Sequence, residues 1–287
     1  MNTDLRLNGI TKEYKSFKLD NITLELPKGM STALIGTNGA GKTTLLDIIA
    51  GISLKYTGTA EYFGGKTISD PQVRSLIGYT AAGNYFSPDW KQKNIESVLG
   101  AAFDNFHTDR FREWLNRFSI EFGKKKISAL SDGNIMRVML ASVLARDTKM
   151  LVLDEPASPL DPVMRDRLCD IFREYTSDGE KSVLFSTHNI ADMENVTDYA
   201  VIMADGKIIE QGYADDLREK YILVHGDGKD MARYKPYMVD CSGGANGFEG
   251  IAPEANRHHF ENGDVIIESP HLQQICVALL KNAEKKD

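Results

Sequence analysis

The sequence predicts an α/β fold with a mixed sheet, an antiparallel β subdomain, a helical insert and a small C-terminal α+β appendage. Two buried strand patterns carry this prediction: one runs into a glycine-rich loop at residue 36, and the other ends in two carboxylates at residue 154. A stretch with helical periodicity, 86–146, lies between them. A chain of 287 residues is long enough for about two average domains, which leaves room for an appendage.

Composition and charge exclude several classes of protein. With 42% apolar and 26% charged residues, the chain is not wholly disordered, and a net charge of −7 argues against a nucleic-acid coat. Cys169, Cys241 and Cys276 form no CxxC pair, so we expect reduced thiols. No secretory signal is evident, and the longest near-apolar run, 138–145, is too short to cross a bilayer. Any membrane connection is therefore expected to pass through a partner.

The N-terminal region predicts strands at 5–10, 22–26 and 31–35, the last of them buried. A GxxxxGK[ST] loop follows at once, and it consists of Gly36, Thr37, Asn38, Gly39, Ala40, Gly41, Lys42 and Thr43. An apolar helix begins at Thr44. Such a loop points backbone N–H groups at phosphate oxygens, with Lys42 reaching the β- and γ-phosphates and Thr43 ligating Mg²⁺. The alternative is a glycine turn without a ligand.

A second nucleotide signal is the strand 150–153, which ends at Asp154 and Glu155. Ligands of open α/β sheets bind at the carboxyl ends of the strands. We expect Asp154 to hold the Mg²⁺ shell and Glu155 to polarise an attacking water. The alternative is a strand that ends in solvated acids.

The insert 86–146 predicts helices at 90–99, 109–118 and 132–145, and it carries ten basic and seven acidic residues. This excess of positive charge fits a solvated face better than a membrane or acidic partner. Ser131 is a predicted N-cap, and a helix start containing Gly133 suits an anion, although plain helix capping is the simpler explanation.

Further along the chain, the pattern predicts a helix at 162–175, a buried strand at 182–187 that ends at His188, and a hairpin at 199–210. His188 is either a structural residue or part of the site. We predict a small accessory region at 223–287, with a strand at 264–268 and a closing helix at 272–284. Its histidines are expected to be exposed loop residues and not a metal cluster; they are His258, His259 and His271.

The motifs GTNGAGKTT, LSDGN, LVLDEP and SPLD, followed by His188, resemble in order and spacing the ATP-binding cassette (ABC) ATPase family, whose core is a P-loop NTPase fold. The match covers 3–222, and it implies a nucleotide-binding domain at 1–222. By this resemblance, the Walker A loop is 36–43 continuing into Thr44, the signature is 130–134, the Walker B strand is 150–155, the D-loop is 158–161 and the switch histidine is His188. Tyr14 resembles the aromatic residue that stacks on adenine, with Phe17 as the rival.

The resemblance also implies partners. Two cassettes, in a homodimer or a paired heterodimer, would hold ATP and Mg²⁺ between the Walker A loop of one and the signature of the other. Residues implied at this interface are Ser131, Gly133, Asn134 and, in the D-loop, Asp161. Closure of the pair would move polytopic transmembrane subunits, so we expect the chain to be peripheral at the cytoplasmic face of the membrane, without nucleic acid.

Two departures from the family pattern stand out. The third and fifth signature residues, usually glycine and glutamine, are Asp132 and Asn134 here, and a carboxylate at 132 either opposes closure or points into solvent. The Q-loop glutamine is missing, because the chain reads Thr-Ala-Ala-Gly-Asn at 80–84. Either Asn84 substitutes for it, or the cation is held by Thr43, ATP and water.

Three functions compete. The first is the ATPase subunit of an exporter of peptides or drugs, because a cassette followed by a small region resembles that branch; import is the less expected direction. The second is a soluble ATPase that acts on nucleic acid or ribosomes. The third is a degenerate cassette that binds ATP as a regulator without turnover. Glu155 and His188 favour turnover over the third.

Overall fold

The computed structural model describes residues 3–261 and 263–285. The strands in this part of the chain are β1 (Thr3–Glu13), β2 (Lys18–Pro27), β3 (Ser31–Gly36), β4 (Thr57–Tyr62), β5 (Ile77–Thr80), β6 (Met150–Leu153), β7 (Ser182–Thr187), β8 (Tyr199–Ala204), β9 (Lys207–Tyr213), β10 (Tyr221–Gly226), β11 (Asp240–Gly244), β12 (Gly247–Pro253) and β13 (Val265–Glu268). The helices are α1 (Lys42–Ile49), α2 (Pro71–Ser75), α3 (Gln92–Ala102), α4 (Thr108–Arg117), α5 (Asp132–Leu144), α6 (Pro162–Thr176), α7 (Ala214–Lys220), α8 (Met231–Tyr234) and α9 (Leu272–Glu284).

The main sheet has the strand order β5-β6-β7-β3-β8-β9. The first five strands are parallel, and β9 pairs antiparallel with β8 as the predicted hairpin. The inner strands β3, β6 and β7 are buried on both faces, whereas the edge strand β9 is partly exposed. Along β6, Met150 and Val152 pack toward α1, and Leu151 and Leu153 pack toward the helices on the opposite face. This explains why the buried strands read as continuous apolar runs and not as alternating ones. The predicted α/β class with a mixed sheet is confirmed.

The antiparallel β subdomain is a three-stranded sheet of order β2-β1-β4. Its strands β1 and β2 match the predicted segments, but β4 is missing from the prediction. The sequence of β4, Thr-Gly-Thr-Ala-Glu-Tyr, contains mainly small and polar residues, and only its Tyr62 is buried. A strand that buries so little gives no apolar periodicity to recognise.

The helical insert consists of α3, α4 and α5, which lie close to the predicted helices. Their apolar side chains join the core that covers one face of the main sheet. Several basic residues of the insert pair with acidic ones at the surface, as Arg112 does with Glu96 and Lys126 with Asp89. Among the residues that the structure describes, no helix is long and apolar enough to cross a membrane.

The C-terminal unit contains more strand than the sequence indicates. The predicted strand and closing helix are present as β13 and α9, but β10, β11 and β12 complete a four-stranded antiparallel sheet of order β11-β12-β10-β13. Glycines in β11 and β12 weaken the strand pattern there. The predicted boundary at residue 222 lies inside β10, so we propose that the accessory unit begins at Tyr221.

Candidate active site

The glycine-rich loop lies between β3 and α1, at the carboxyl end of the main sheet. Gly39 and Gly41 have φ of +86° and +103°, in the left-handed region that favours glycine. A Cβ on Gly41 would lie 2.6 Å from the Phe17 ring, which packs against this turn. Residues 37–39 are exposed, so this part of the loop is accessible from solvent.

Lys42 folds back onto this loop. Its side chain is buried, and its Nζ donates to the carbonyl oxygens of Gly36 at 2.8 Å and Thr37 at 3.2 Å. The same Nζ lies 3.3 Å from Glu155 Oε1. The two carbonyl oxygens are neutral acceptors, and the ammonium can exchange them for charged phosphate oxygens, to which its hydrogen bonds are stronger.

Asp154 is fully buried at the end of β6, and both of its oxygens accept from hydroxyl groups. Thr43 Oγ1 donates to Oδ2 at 2.7 Å, and Ser186 Oγ donates to Oδ1 at 2.5 Å. A hydroxyl and a carboxylate that converge in this way are hard oxygen donors of the kind that Mg²⁺ takes. The residues present therefore fit the expected cation.

Glu155 has φ of +49°, which is unusual for a residue other than glycine. Such a conformation costs about 1–3 kcal/mol and persists only where the surroundings hold it. Here Ser186 Oγ accepts from the Glu155 backbone N–H at 2.8 Å, and His188 Nδ1 lies 2.8 Å from Glu155 Oε2. Because an ionised carboxylate only accepts hydrogen bonds, Nδ1 carries the proton in this pair.

Ser186 is a site residue that the sequence analysis missed. It joins the two acids of the strand end, since its hydroxyl donates to Asp154 and accepts from the Glu155 N–H. In the sequence it is one of three polar residues in the buried strand β7, with Ser182 and Thr187. Only the pairing of β7 beside β6 brings it to Asp154.

We expect Ser186→Ala to lower the free energy of unfolding by about 1–3 kcal/mol and also to reduce ATP turnover. Ser182 provides a matched control at the other end of β7, because its hydroxyl donates to Asp4 at 2.6 Å and accepts from the Gly29 N–H at 2.9 Å. Ser182→Ala should cost similar stability in urea unfolding and leave turnover unchanged. Equal losses of turnover in both variants would contradict a site role for Ser186.

The predicted signature segment begins α5. Ser131 Oγ accepts from the Asn134 N–H at 3.3 Å, which is the predicted N-cap. A Cβ on Gly133 would lie 2.7 Å from the Pro159 carbonyl oxygen, so this glycine lets α5 approach the segment after β6. The side chain of Asp132 is exposed and lines a cavity beside Glu155.

That cavity, of about 370 Å³, lies between the start of α5 and the pair formed by Glu155 and His188. Ala82 and Asn84 line it. The Asn84 side chain is engaged with its own loop, because its amide donates to the Phe86 carbonyl at 3.0 Å and accepts from the Phe86 N–H at 2.9 Å. In this arrangement the Asn84 side chain therefore does not take the place of the missing Q-loop glutamine.

The remaining predicted residues have separate positions. Asp161 is the N-cap of α6, and its side chain accepts from the Met164 N–H at 3.1 Å. Arg165 holds the loop before Asp161, because its Nε donates to the carbonyl oxygens of Ala157 and Leu160. Tyr14 is 48% exposed, with its ring centroid 6.4 Å from that of Phe17. Thr44 is half-buried in the first turn of α1.

Comparison with known proteins identifies relatives among ABC transporter ATP-binding proteins, the family that the sequence motifs resemble. The family model described as ABC transporter matches residues 19–158. YxlF of Bacillus subtilis, named as an uncharacterized ABC transporter ATP-binding protein, is 32% identical over 223 residues, covering 75% of this chain and 73% of the relative. The thiamine import ATP-binding protein ThiQ of Salmonella typhimurium is 30% identical over 217 residues, covering 74% and 92%.

The fold has close counterparts among solved structures. The dimeric structure of MJ0796, a bacterial ABC transporter cassette, matches with a TM-score of 0.66 at 24% identity, covering 73% of this chain and 98% of that chain. At that identity the likeness shows the fold alone, and the sequence relatives above carry the assignment. The glycine-rich loop, the paired acids and the relatives together show that this chain belongs to the ABC transporter ATPase family and is the ATP-binding subunit of an ABC transporter.

Proposed function

We propose that the chain hydrolyses ATP between two paired cassettes and that closure of the pair drives membrane subunits of an exporter of peptides or drugs. The convergence of Lys42 and His188 on the two oxygens of Glu155, next to the buried Asp154, is the observation that carries the proposal. It brings a phosphate-binding cation, an acid and a histidine from three different elements to one point.

Nucleotide binding uses the loop 36–43 and the N-terminus of α1. Backbone N–H groups and the partial positive charge of the helix end receive the phosphates. Lys42 exchanges its contacts to Gly36 O and Thr37 O for the β- and γ-phosphates. Thr43 and Asp154 would hold Mg²⁺, which supplies positive charge to the phosphate oxygens when it is bound.

Hydrolysis depends on Glu155 as the general base. While Lys42 lies near Oε1 the carboxylate is occupied, and the move of Lys42 to the phosphates frees Oε1 for the attacking water. The carboxylate takes a proton from that water as the water oxygen attacks the γ-phosphorus. The bond between the γ-phosphorus and the oxygen that bridges to the β-phosphate breaks, and ADP leaves with that oxygen. His188 donates to Oε2 and keeps the carboxylate oriented, and the strained backbone of Glu155 fixes its direction.

Pairing completes the site. The N-terminus of α5, with Ser131, Gly133 and Asn134, faces the γ-phosphate held by the second cassette, and Asp161 lies in the loop that meets that cassette. We propose Tyr14 as the adenine-stacking ring, since it is exposed while Phe17 packs against Gly41. Support for pairing comes from the similar cassette, which is described as dimeric.

An apolar groove is the proposed contact for the membrane subunits. It has a volume of about 650 Å³ and lies between α3, α5 and the loop after β5. Exposed apolar side chains at its rim are Ile52, Tyr85 and Val98. Its charged lining residues are Arg74, Arg146 and Asp47, which leave an excess of one positive charge, so a short amphipathic helix with an acidic end fits this groove.

We expect Val98→Glu to disrupt co-purification with the membrane subunits while ATP affinity stays unchanged, because the charge enters the groove and not the nucleotide site. Val277 offers a matched control on α9, with 43% exposure against 41% for Val98. Val277→Glu should retain the complex. Retention of the complex by both variants would contradict docking in this groove.

Export is the proposed direction because the cassette is joined to a unit of four strands and α9, an arrangement that resembles the export branch. Import is the second candidate because ThiQ is named as an importer. Uptake of labelled peptide into inverted vesicles containing the complete transporter tests export. ATP-dependent uptake only into right-side-out vesicles loaded with ATP would contradict it. We place the chain at the cytoplasmic face of the membrane, where ATP is available to it.

A further inference from the structure

The closing helix α9 is shared by two hydrophobic cores. Leu272 and Cys276 belong to the core of the ATPase domain, whereas Ile275 and Ala278 pack on the C-terminal sheet. Burial raises the pKa of the Cys276 thiol to about 12, and the nearby Glu194 carboxylate adds to this effect. Helix α9 therefore packs against both units and connects the C-terminal sheet to the ATPase domain.

Glu194 joins α9 to the segment 188–196, which we term the switch segment because it begins at His188. Its oxygens accept from the N–H groups of Leu272 at 2.8 Å and Gln273 at 3.3 Å, and Arg218 of α7 lies 3.2 Å away. The first turn of α9 contains no acidic residue of its own. Glu194 supplies the negative charge that the positive end of this helix favours.

The switch segment is also tied to the D-loop. Asp192 accepts from Arg165 at 2.6 Å, and Arg165 donates to the carbonyl oxygens of Ala157 and Leu160 in or beside that loop. Asn189 donates to the same carboxylate of Asp192 at 3.2 Å. The switch segment therefore has two sets of polar contacts, one from Glu194 to the C-terminal unit and one from Asp192 to Arg165 beside the D-loop, and the backbone between residues 192 and 194 connects them.

We propose that Glu194 is a positioning residue through which the C-terminal unit controls the placement of His188 and the D-loop, and thereby the rate of ATP hydrolysis. The proposal rests on the proposed role of His188 at Glu155. Small displacements matter here, because a shift of about 1 Å in a reacting group can cost about a hundredfold in rate. In this proposal the C-terminal unit regulates the rate of ATP hydrolysis.

A second tie between the two units provides the matched control. Glu210 on β9 accepts from Lys220 at 2.6 Å and from the Tyr221 hydroxyl at 2.9 Å, and its side chain is 17% exposed against 11% for Glu194. It holds the start of β10 without touching the switch segment. Glu210→Gln therefore weakens a contact at the start of β10 and leaves the contacts between Glu194 and α9 in place.

The test compares Glu194→Gln with Glu210→Gln in the full chain. Glutamine keeps one acceptor oxygen but loses the charge and the second acceptor, so both variants should fold. We expect Glu194→Gln to lower kcat about tenfold with KM for ATP within about twofold of wild type, and Glu210→Gln to leave both constants unchanged. An unchanged kcat in Glu194→Gln, or equal losses in both variants, would overturn the proposal.

Amide hydrogen exchange gives a second measure that does not depend on turnover. In Glu194→Gln we expect faster exchange at 188–193 and at 157–161 as well as at 272–276. Faster exchange confined to 272–276 would show a local helix cap and overturn the proposal. A His188→Ala variant distinguishes failure of the proposed function from failure of the proposal for Glu194. Unchanged turnover in His188→Ala would remove the proposed role of His188 in hydrolysis. The exchange pattern of Glu194→Gln would still show whether Glu194 connects α9 to the switch segment and the D-loop.

Discussion

Replacing Glu155 by glutamine should give a chain that binds ATP and does not turn it over. The amide keeps the shape of the side chain but cannot take a proton from water, and loss of a general base costs about 10² to 10⁴ in rate. Binding should survive, because the loop 36–43, Thr43 and Asp154 are untouched, and Lys42 loses a contact at 3.3 Å that competes with phosphate. Phosphate release and calorimetric ATP affinity measure the two quantities.

Glu96 supplies the control for that variant. Its side chain is 13% exposed, against 17% for Glu155, and it also pairs with a cation, Arg112, at 2.9 Å. Glu96 lies in α3 of the helical insert, so the Glu96→Gln variant should hydrolyse ATP at the wild-type rate. If Glu155→Gln hydrolyses ATP at close to that rate, Glu155 is not the base and His188 becomes the leading candidate.

Lys42→Ala should abolish tight ATP binding. The ammonium is the point charge that the loop presents to the β- and γ-phosphates, and the structure holds it buried among carbonyl oxygens that it can leave. Calorimetric titration with ATP should show no saturable binding in the concentration range that saturates wild type.

Lys28→Ala controls for the loss of a lysine elsewhere. Its Nζ pairs with Glu180 at the far end of the sheet, and its side chain is 21% exposed. This variant should bind ATP as wild type does. Unchanged affinity in Lys42→Ala would remove the assignment of the phosphate-binding loop.

The strands and helix starts that contain the motifs could be predicted from local sequence patterns, namely apolar runs and N-cap residues. Tertiary contacts leave the secondary structure of these segments as the local pattern predicts. Strands β3, β6 and β7 are buried segments that each contain an apolar run, 33–35, 150–153 and 183–185, and they end near a loop, an acid pair and His188. Ser131 and Asp161 cap helices in the positions that their residue type favours. In these places the sequence pattern and the fold agree.

Contacts between distant segments could not be predicted. Ser186 reaches Asp154 only through the pairing of β7 with β6, and Glu194 reaches Leu272 across 78 positions of chain. The loop after β5 also depends on context, because the Asn84 amide closes on Phe86. Such contacts follow from strand order and helix docking, which single-sequence patterns do not encode.

Closure of two cassettes around ATP is the step on which the proposed function depends, and light scattering measures it directly for two copies of this chain. Glu155→Gln, saturated with ATP and Mg²⁺, should shift from the 31.9 kDa monomer to twice that mass, and the shift should be absent without nucleotide and in Glu155→Gln combined with Lys42→Ala. A monomer at every ATP concentration, with ATP bound to saturation by calorimetry, would contradict pairing of two copies.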